Sequence, residues 1–285
     1  VIPAAFDYTR VSTVDEAVAA LGTAGEDAKV LAGGQSLIPL LRLRLAAPTV
    51  LVDLGGVAGL RGVRDDGNAI VVGAMTTHAQ VLADPLVAAH APLLAQATGT
   101  VADRQVRHRG TLGGSLAHAD PAGDLPAVAL ALDATFEVAG PAGRRQVAAA
   151  DFFVDYLTSA LGPGEVLVSV RVPKRPGWTG HYEKFNRMAQ GWALVGVAAL
   201  VRRDNGTIVQ ARVALTNMGT APVRAAGVEA ALAGVPATAQ AVAAAAAHAA
   251  QGASPTDDLS ASAAYREHLA RVLTRRAVMA AAHAT

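Results

Sequence analysis

The chain has 285 residues, enough for two or three domains with a sizeable core, and 52% of them are hydrophobic while only 4% are aromatic. The core is therefore aliphatic, built from Ala, Val and Leu, and the composition carries no sign of disorder. A net charge of +1 argues against bulk attraction to nucleic acid or an anionic membrane, and the lack of any cysteine excludes disulfides, thiolate zinc sites and an iron–sulfur cluster held by this chain.

The first residues, Val1 to Tyr8, show neither the basic nor the apolar region of a signal peptide. Thr13-Val14-Asp15-Glu16 predicts a capped helix start, with Gly22 placed to close the far end. Ala28 to Leu31 and Thr49 to Leu54 read as buried strands. Arg61 to Arg64 and Ala69 to Ala74 flank the hairpin turn Asp66-Gly67, and Thr77 to Gln80 opens a helical run toward Gln96. A second hairpin is expected around Pro141-Ala142-Gly143, between Ala134 to Ala139 and Gln146 to Ala149. The β-branched run Val166 to Val172 ends at Pro173, and Pro173-Lys174-Arg175-Pro176-Gly177 is the best linker. Strands follow at Tyr182 to Phe185, Leu194 to Val201 and Thr207 to Leu215, the last two joined through Asn205-Gly206. The remainder is helical: Arg224 to Ala233 before Gly234, Thr238 to Gln251, and Ala261 to His283, with Tyr265, Leu269, Val272 and Met279 near one face. The alanine stretch from Ala237 to Ala250 is too weakly hydrophobic for an integral membrane segment, so a soluble cytoplasmic protein is expected. The fold class is α+β: two mixed lobes, about 1–55 and 56–174, then a meander with helices over 178–285.

Two glycine-rich turns carry the chemistry. Ala32-Gly33-Gly34-Gln35-Ser36 follows a strand, and without Cβ atoms its backbone can approach a diphosphate closely and aim several amides at it. It matches neither a Walker A loop nor a Rossmann turn, and taken alone such a turn is better explained by chain geometry. The second turn, Gly110-Thr111-Leu112-Gly113-Gly114-Ser115, repeats the pairing of adjacent glycines with hydroxyl residues, preceded by Arg104, Arg107 and Arg109. Downstream, Asp120 and Asp124 sit in a turn-rich segment, where Asp124 either accepts from ribityl or ribose hydroxyls or simply makes an Asx turn or helix cap. His108, His118 and Asp120 form no standard metal-ligand pattern, so no metal site is expected. Arg271, Arg275 and Arg276 are most simply a solvated helix face, with a subunit contact as the alternative.

These motifs resemble the FAD-binding medium subunit of molybdenum hydroxylases, the family of xanthine dehydrogenase, carbon monoxide dehydrogenase, and quinoline and nicotine hydroxylases. The similarity runs nearly end to end, through Asp151-Phe152-Phe153, Glu165-Val166-Leu167, Lys184-Phe185, Trp192-Ala193 and Leu215-Thr216-Asn217-Met218-Gly219. It implies a PCMH-type (vanillyl-alcohol-oxidase-like) FAD-binding domain of two subdomains over 1–174, followed by a C-terminal α+β domain of the CO dehydrogenase flavoprotein type. It also implies an FAD site formed by Leu31, Ala32, Gly33, Gly34, Gln35, Ser36 and Leu37 with Thr111, Gly113, Gly114 and Ser115. Ala102, His118, Asp124, Val166, Leu167 and Lys184 match further cofactor-lining positions, Asp120 lies nearby, and Trp192 falls either against the isoalloxazine or at an ordinary strand entry. Gln35 stands where vanillyl-alcohol-oxidase relatives often attach flavin to histidine, so non-covalent FAD is implied. It also counts a little against a carbon monoxide assignment. No side chain is assigned as a general acid or base. The resemblance places molybdopterin on a large partner subunit and 2Fe–2S clusters on a small one, in a dimer of heterotrimers. The competing readings are a self-sufficient FAD-dependent oxidase or reductase with its substrate pocket in the C-terminal domain, and a nucleotide-binding protein without flavin. The C-terminal domain lacks a dense set of His, Tyr and Arg candidates, which favours the electron-transfer subunit.

Overall fold

The computed structural model describes residues 2–284. The first lobe joins β1 (Asp7–Arg10), α1 (Val14–Ala24), β2 (Ala28–Leu31), α2 (Leu37–Leu43) and β3 (Val50–Asp53) into a parallel sheet of order β1-β3-β2. Thr13 caps α1 through the Glu16 amide, while the Glu16 carboxylate accepts from Ser12 rather than closing the box on Thr13. Gly22 does not end this helix. The chain runs on to Ala24 and stops at Gly25, whose φ of 72° suits glycine alone. Gly22 is then an exposed helix-interior glycine with open space where a Cβ would go. Gly22→Ala should raise stability by about 0.5–1 kcal/mol in urea denaturation, with FAD binding unchanged.

The second lobe begins with the hairpin β4 (Val63–Asp65) and β5 (Ala69–Gly73). The single helical run expected toward Gln96 is instead α3 (His78–Ala83), α4 (Pro85–His90) and α5 (Pro92–Gly99). Pro85 and Pro92 each stand at a first helical position, where proline starts a helix and cannot continue one. Then come α6 (Arg104–Arg109), α7 (Leu112–His118), α8 (Asp124–Ala131), β6 (Thr135–Gly140), β7 (Gly143–Ala148), α9 (Ala149–Phe152), β8 (Phe153–Asp155), β9 (Thr158–Ser159) and β10 (Val166–Pro173). The sheet order β4-β5-β10-β6-β7 puts the Val166–Pro173 run at the centre, which is why it is mostly apolar and buried, with Ser169 and Arg171 as its polar members. Every residue of α8 is buried, so it has no amphipathic period to read.

The third region is the antiparallel sheet β11 (Trp178–Phe185), β12 (Val195–Asp204), β13 (Thr207–Thr216) and β14 (Val223–Arg224), with α10 (Ala226–Leu232), α11 (Ala239–Ala246) and α12 (Ala263–His283) on one face. Arg224 thus belongs to a strand, and the expected helix over Thr238 to Gln251 ends at Ala246 in a run of turns. On α12 the buried row is Arg266, Leu269, Ala270, Leu273, Ala277 and Ala281, while Tyr265 is exposed. The expected face, with Tyr265, Val272 and Met279, is thus rotated from the true one, because alanines and a buried arginine carry the contact. Arg266 is held by the Leu194 carbonyl (2.5 Å) and Asp258 (2.6 Å).

Val195, Val197, Ala199 and Val201 of β12 face the core under α10 to α12, while Ala198 and Leu200 face the core shared with α5 and α8. The third sheet is therefore packed on both faces, and its inner face is continuous with the second lobe. Asp133, just past α8, reinforces this join by accepting from Arg175, Arg212 and Arg224.

Candidate FAD site

The two glycine turns lie back to back. A Cβ on Gly33 would sit 2.7 Å from the Gly110 Cα, and one on Gly114 would meet the Thr111 hydroxyl and the Ala32 methyl. Glycine at 33 is thus required by the approach of one turn to the other, and glycine at 114 chiefly by the Thr111 hydroxyl of its own turn. Gly34 has φ +77°, which again demands glycine.

The turns differ in what they leave free. Among the described residues, the amides of Gly33, Gly34, Gln35 and Ser36 donate to no protein oxygen. The second turn is committed internally: Leu112 donates to the Thr76 carbonyl (3.0 Å), Gly113 to Ala74 (2.9 Å), and Gly114 to the Thr111 hydroxyl (3.1 Å). Thr111 retains its hydroxyl proton, and Ser115 its hydroxyl, on the cleft wall. The first turn is an anion cradle, and the second is its buttress.

Both turns line a cleft of about 850 Å³, closed by the loop 157–165 and the loop 190–192. That size lies in the upper part of the range for small-molecule sites. Ala32, Gly33, Gly34, Gln35, Ser36, Leu37, Ala102, Thr111, Gly114, Ser115, His118, Asp120, Asp124, Lys184 and Trp192 all line it. Leu31, Gly113, Val166 and Leu167 do not. Gly113 packs on Ala74, where a Cβ would lie 2.7 Å from the Ala74 Cα, and Val166 and Leu167 are buried in β10. Their neighbour Glu165 does line it, and holds the loop by accepting from the Gly162 amide (2.7 Å) and pairing with Arg145 (2.6 Å). The Arg145 guanidinium keeps the Glu165 carboxyl below its usual range.

None of Arg104, Arg107 and Arg109 lines the cleft. Arg107 turns back onto the carbonyls of Val101 (2.7 Å) and Ala102 (3.2 Å), fixing a loop in which Ala102 takes a left-handed φ of 41°. Asp120, not Asp124, makes the Asx turn, accepting from the Ala122 amide at 2.8 Å. Asp124 is 5% exposed and accepts from Tyr182 Oη (2.7 Å) and Lys184 Nζ (2.8 Å), with Lys184 also donating to the Thr100 carbonyl. Burial holds the Asp124 carboxyl above its usual range, against the pull of Lys184. Tyr182 was not legible as a site residue. Its hydroxyl reaches Asp124 past Gly196, a position where any Cβ would block it. Trp192 is 60% exposed at the mouth.

His78 is a second residue that the sequence reading missed. It lies in the cleft wall at the first position of α3, is 3% exposed, and donates its backbone amide to the Gly110 carbonyl (2.9 Å). Burial, helped by Arg107, pushes the imidazole down to about 4. Unfolded, the ring takes a proton below about pH 6.5, but folded it stays neutral until about pH 4, so stability is lost as pH falls through that window, by about 3 kcal/mol in all. Urea denaturation of the wild type and His78→Gln at pH 7.5 and 4.5 should show the variant losing less stability on acidification; equal losses would reject this account.

Free amides on a cradle of glycine, two hydroxyl donors and a buried Asp–Lys pair in a cleft of this size suit a dinucleotide with an anionic diphosphate. The class defined is a dinucleotide-binding protein of mixed α and β structure. Residues 4–175 match the family model of the FAD binding domain in molybdopterin dehydrogenase, and residues 180–281 that of the CO dehydrogenase flavoprotein C-terminal domain. The chain is 42% identical to the carbon monoxide dehydrogenase medium chain of Hydrogenophaga pseudoflava, over 98% of both chains. It is 37% identical to the nicotine 6-hydroxylase medium subunit of Paenarthrobacter nicotinovorans, over 97% of both. Among solved structures, carbon monoxide dehydrogenase from H. pseudoflava lacking the Mo-pyranopterin moiety superposes with a TM-score of 0.96 at 44% identity, covering 99% of this chain and 98% of that one. Quinoline 2-oxidoreductase from Pseudomonas putida 86 superposes at 0.95 with 37% identity, covering 99% and 98%. The chain belongs to the family of FAD-binding medium subunits of molybdenum hydroxylases, which are oxidoreductases of several subunits. Among the described residues, no helix is long and apolar enough to cross a membrane.

Proposed function

We propose that this chain binds FAD non-covalently in the cleft and relays electrons from 2Fe–2S clusters on a small partner subunit to an external acceptor. The observation that carries this reading is the first turn, with its four unpaired amides braced from behind by the second. Gly33 to Ser36, Thr111 and Ser115 hold the diphosphate. Asp124, Lys184 and Trp192, which line the same cleft, would contact the rest of the cofactor. When bound, flavin supplies the redox chemistry, since it exchanges electrons singly or in pairs. The chain's own residues bind it, orient it and limit water; none is assigned a proton-transfer role. With no cysteine, the chain depends on a partner for iron–sulfur clusters, and the molybdopterin belongs to a large subunit, in a dimer of heterotrimers. We place the domain boundary between 174 and 178, with subdomains meeting near 55–56; the family-model limits at 175 and 180 support the first of these.

The test is direct. The purified chain should be yellow or turn yellow on adding FAD, and acid precipitation should release the flavin into the supernatant. Co-purification from the native host should bring two further chains with molybdenum and iron. A colourless protein that takes up no FAD rejects the reading, as does a chain that turns over a substrate alone.

A further inference from the structure

Two segments that line the cleft, 120–124 and 190–192, are joined by a residue that does not line it. Asn217 follows directly on β13 and takes a left-handed φ of 61°, a conformation that asparagine tolerates better than most residues. Its two donors go to different places. The backbone amide donates to the Pro121 carbonyl (2.8 Å), and the side-chain Nδ2 donates to the Ala193 carbonyl (2.7 Å). Pro121 lies inside the Asp120 turn, and Ala193 directly follows Trp192. The Trp192 loop leaves β11 at Phe185 and is closed at its base by the Leu194 amide, which donates to the Phe185 carbonyl (2.8 Å). At its tip, Asn186 Nδ2 and the Gly191 amide both donate to the Met188 carbonyl, and the side chains of Met188 and Trp192 are exposed. Among the described residues, its ties to the rest of the chain are Asn217 at Ala193, Arg266 at Leu194, and a long bond (3.4 Å) from Arg187 to the Leu259 carbonyl. Of these only Asn217 also holds a second segment of the cleft wall. The anchor is firm, because the preceding Thr216 is fully buried with its hydroxyl 3.4 Å from Tyr182 Oη.

We propose that Asn217 is a positioning residue for the cofactor: by holding Pro121 and Ala193 it fixes the Asp120–Asp124 segment and the Trp192 loop relative to each other, and so slows release of FAD. This rests on the FAD reading given above. Ordering an exposed loop before the cofactor arrives removes part of the entropy cost of binding, which is the advantage of preorganisation.

Asn217→Gly keeps the left-handed backbone and the bond to Pro121, and loses only the bond to Ala193. FAD release from this variant, followed by flavin fluorescence after dilution, should be about three- to tenfold faster than from the wild type. Asn217→Asp, which sets an oxygen against the Ala193 carbonyl, should release FAD faster still. Asn205→Gly is the control: Asn205 is also left-handed, at φ 46°, but sits in the β12–β13 hairpin and does not line the cleft, so its FAD release should match the wild type. With Trp178→Phe as background, Trp192 is the one tryptophan left, and its fluorescence anisotropy should fall in Asn217→Gly before any FAD is added. In the wild type, the Asn217 carboxamide protons should exchange with solvent more slowly once FAD is bound. That last measurement decides the matter if the Asn217 variants do not fold. FAD release at the wild-type rate from a folded Asn217→Gly, or equal acceleration in Asn205→Gly, would overturn the proposal while leaving FAD binding intact, as would carboxamide exchange indifferent to FAD. A wild-type chain that takes up no FAD would overturn the cofactor reading along with it.

Discussion

Gly33→Ala is expected to lower FAD affinity by about 100-fold or more and to cost about 2 kcal/mol of stability. The new methyl would point into the backbone of Arg109 and Gly110, with 2.7 Å to the Gly110 Cα. Backbone cannot rotate away as a flexible side chain can, so the two turns must separate. The second turn is anchored by Leu112 and Gly113 to the carbonyls of Thr76 and Ala74, so the first must give. Its amides then swing out of line, and losing two charge-assisted hydrogen bonds at about 1.5 kcal/mol each gives the stated factor. Gly59→Ala is the control, because nothing lies within 4 Å of a Cβ there. Flavin fluorescence titration of both variants checks the pair. Tight binding by Gly33→Ala would mean that the turns are looser than their packing indicates.

Lys184→Met is expected to destabilise the protein by about 3–5 kcal/mol at pH 7.5, as usual when one partner of a buried ion pair is removed. Lys184 and Asp124 are 7% and 5% exposed at their side chains, and their pair links β11 to the start of α8. Without the ammonium, Asp124 keeps only neutral hydroxyl donors such as Tyr182, and burial already holds its carboxyl high. The sign with pH follows. A carboxyl whose folded value lies above its unfolded value gains stability when protonated, so the variant's deficit should shrink as pH falls toward the unfolded range of about 4. A second replacement, Asp124→Leu with Lys184→Met, should recover part of the loss, since an apolar pair leaves no charge stranded. Urea denaturation over pH 5 to 8 measures all three. A deficit below about 1 kcal/mol would show that water reaches the pair.

Much of this architecture is legible in the residues. The hairpins at Asp66-Gly67 and Asn205-Gly206, the strand ending at Pro173 and the helix cap at Thr13 all appear where local chemistry puts them. Helix α8 escaped because it is buried on every side and has no period, and the run after Thr77 broke at prolines whose spacing alone does not say that both start new helices. Site residues split the same way. The glycine turns announce themselves, whereas Tyr182 and His78 look like an ordinary strand tyrosine and a helix-start histidine.

The sequence by itself determined the two glycine turns, the lack of any thiol ligand and the family, because each depends on residue type at fixed local spacing. Only the tertiary structure decided what each turn does. Gly33 and Gly110 are 77 residues apart along the chain (110 − 33), and their contact depends on how β2, α6 and α7 converge. That convergence leaves one set of amides free, spends the other on Ala74 and Thr76, and brings Tyr182 and Lys184 from the third sheet onto Asp124. Long-range packing and burial assign those roles, and no local pattern encodes them.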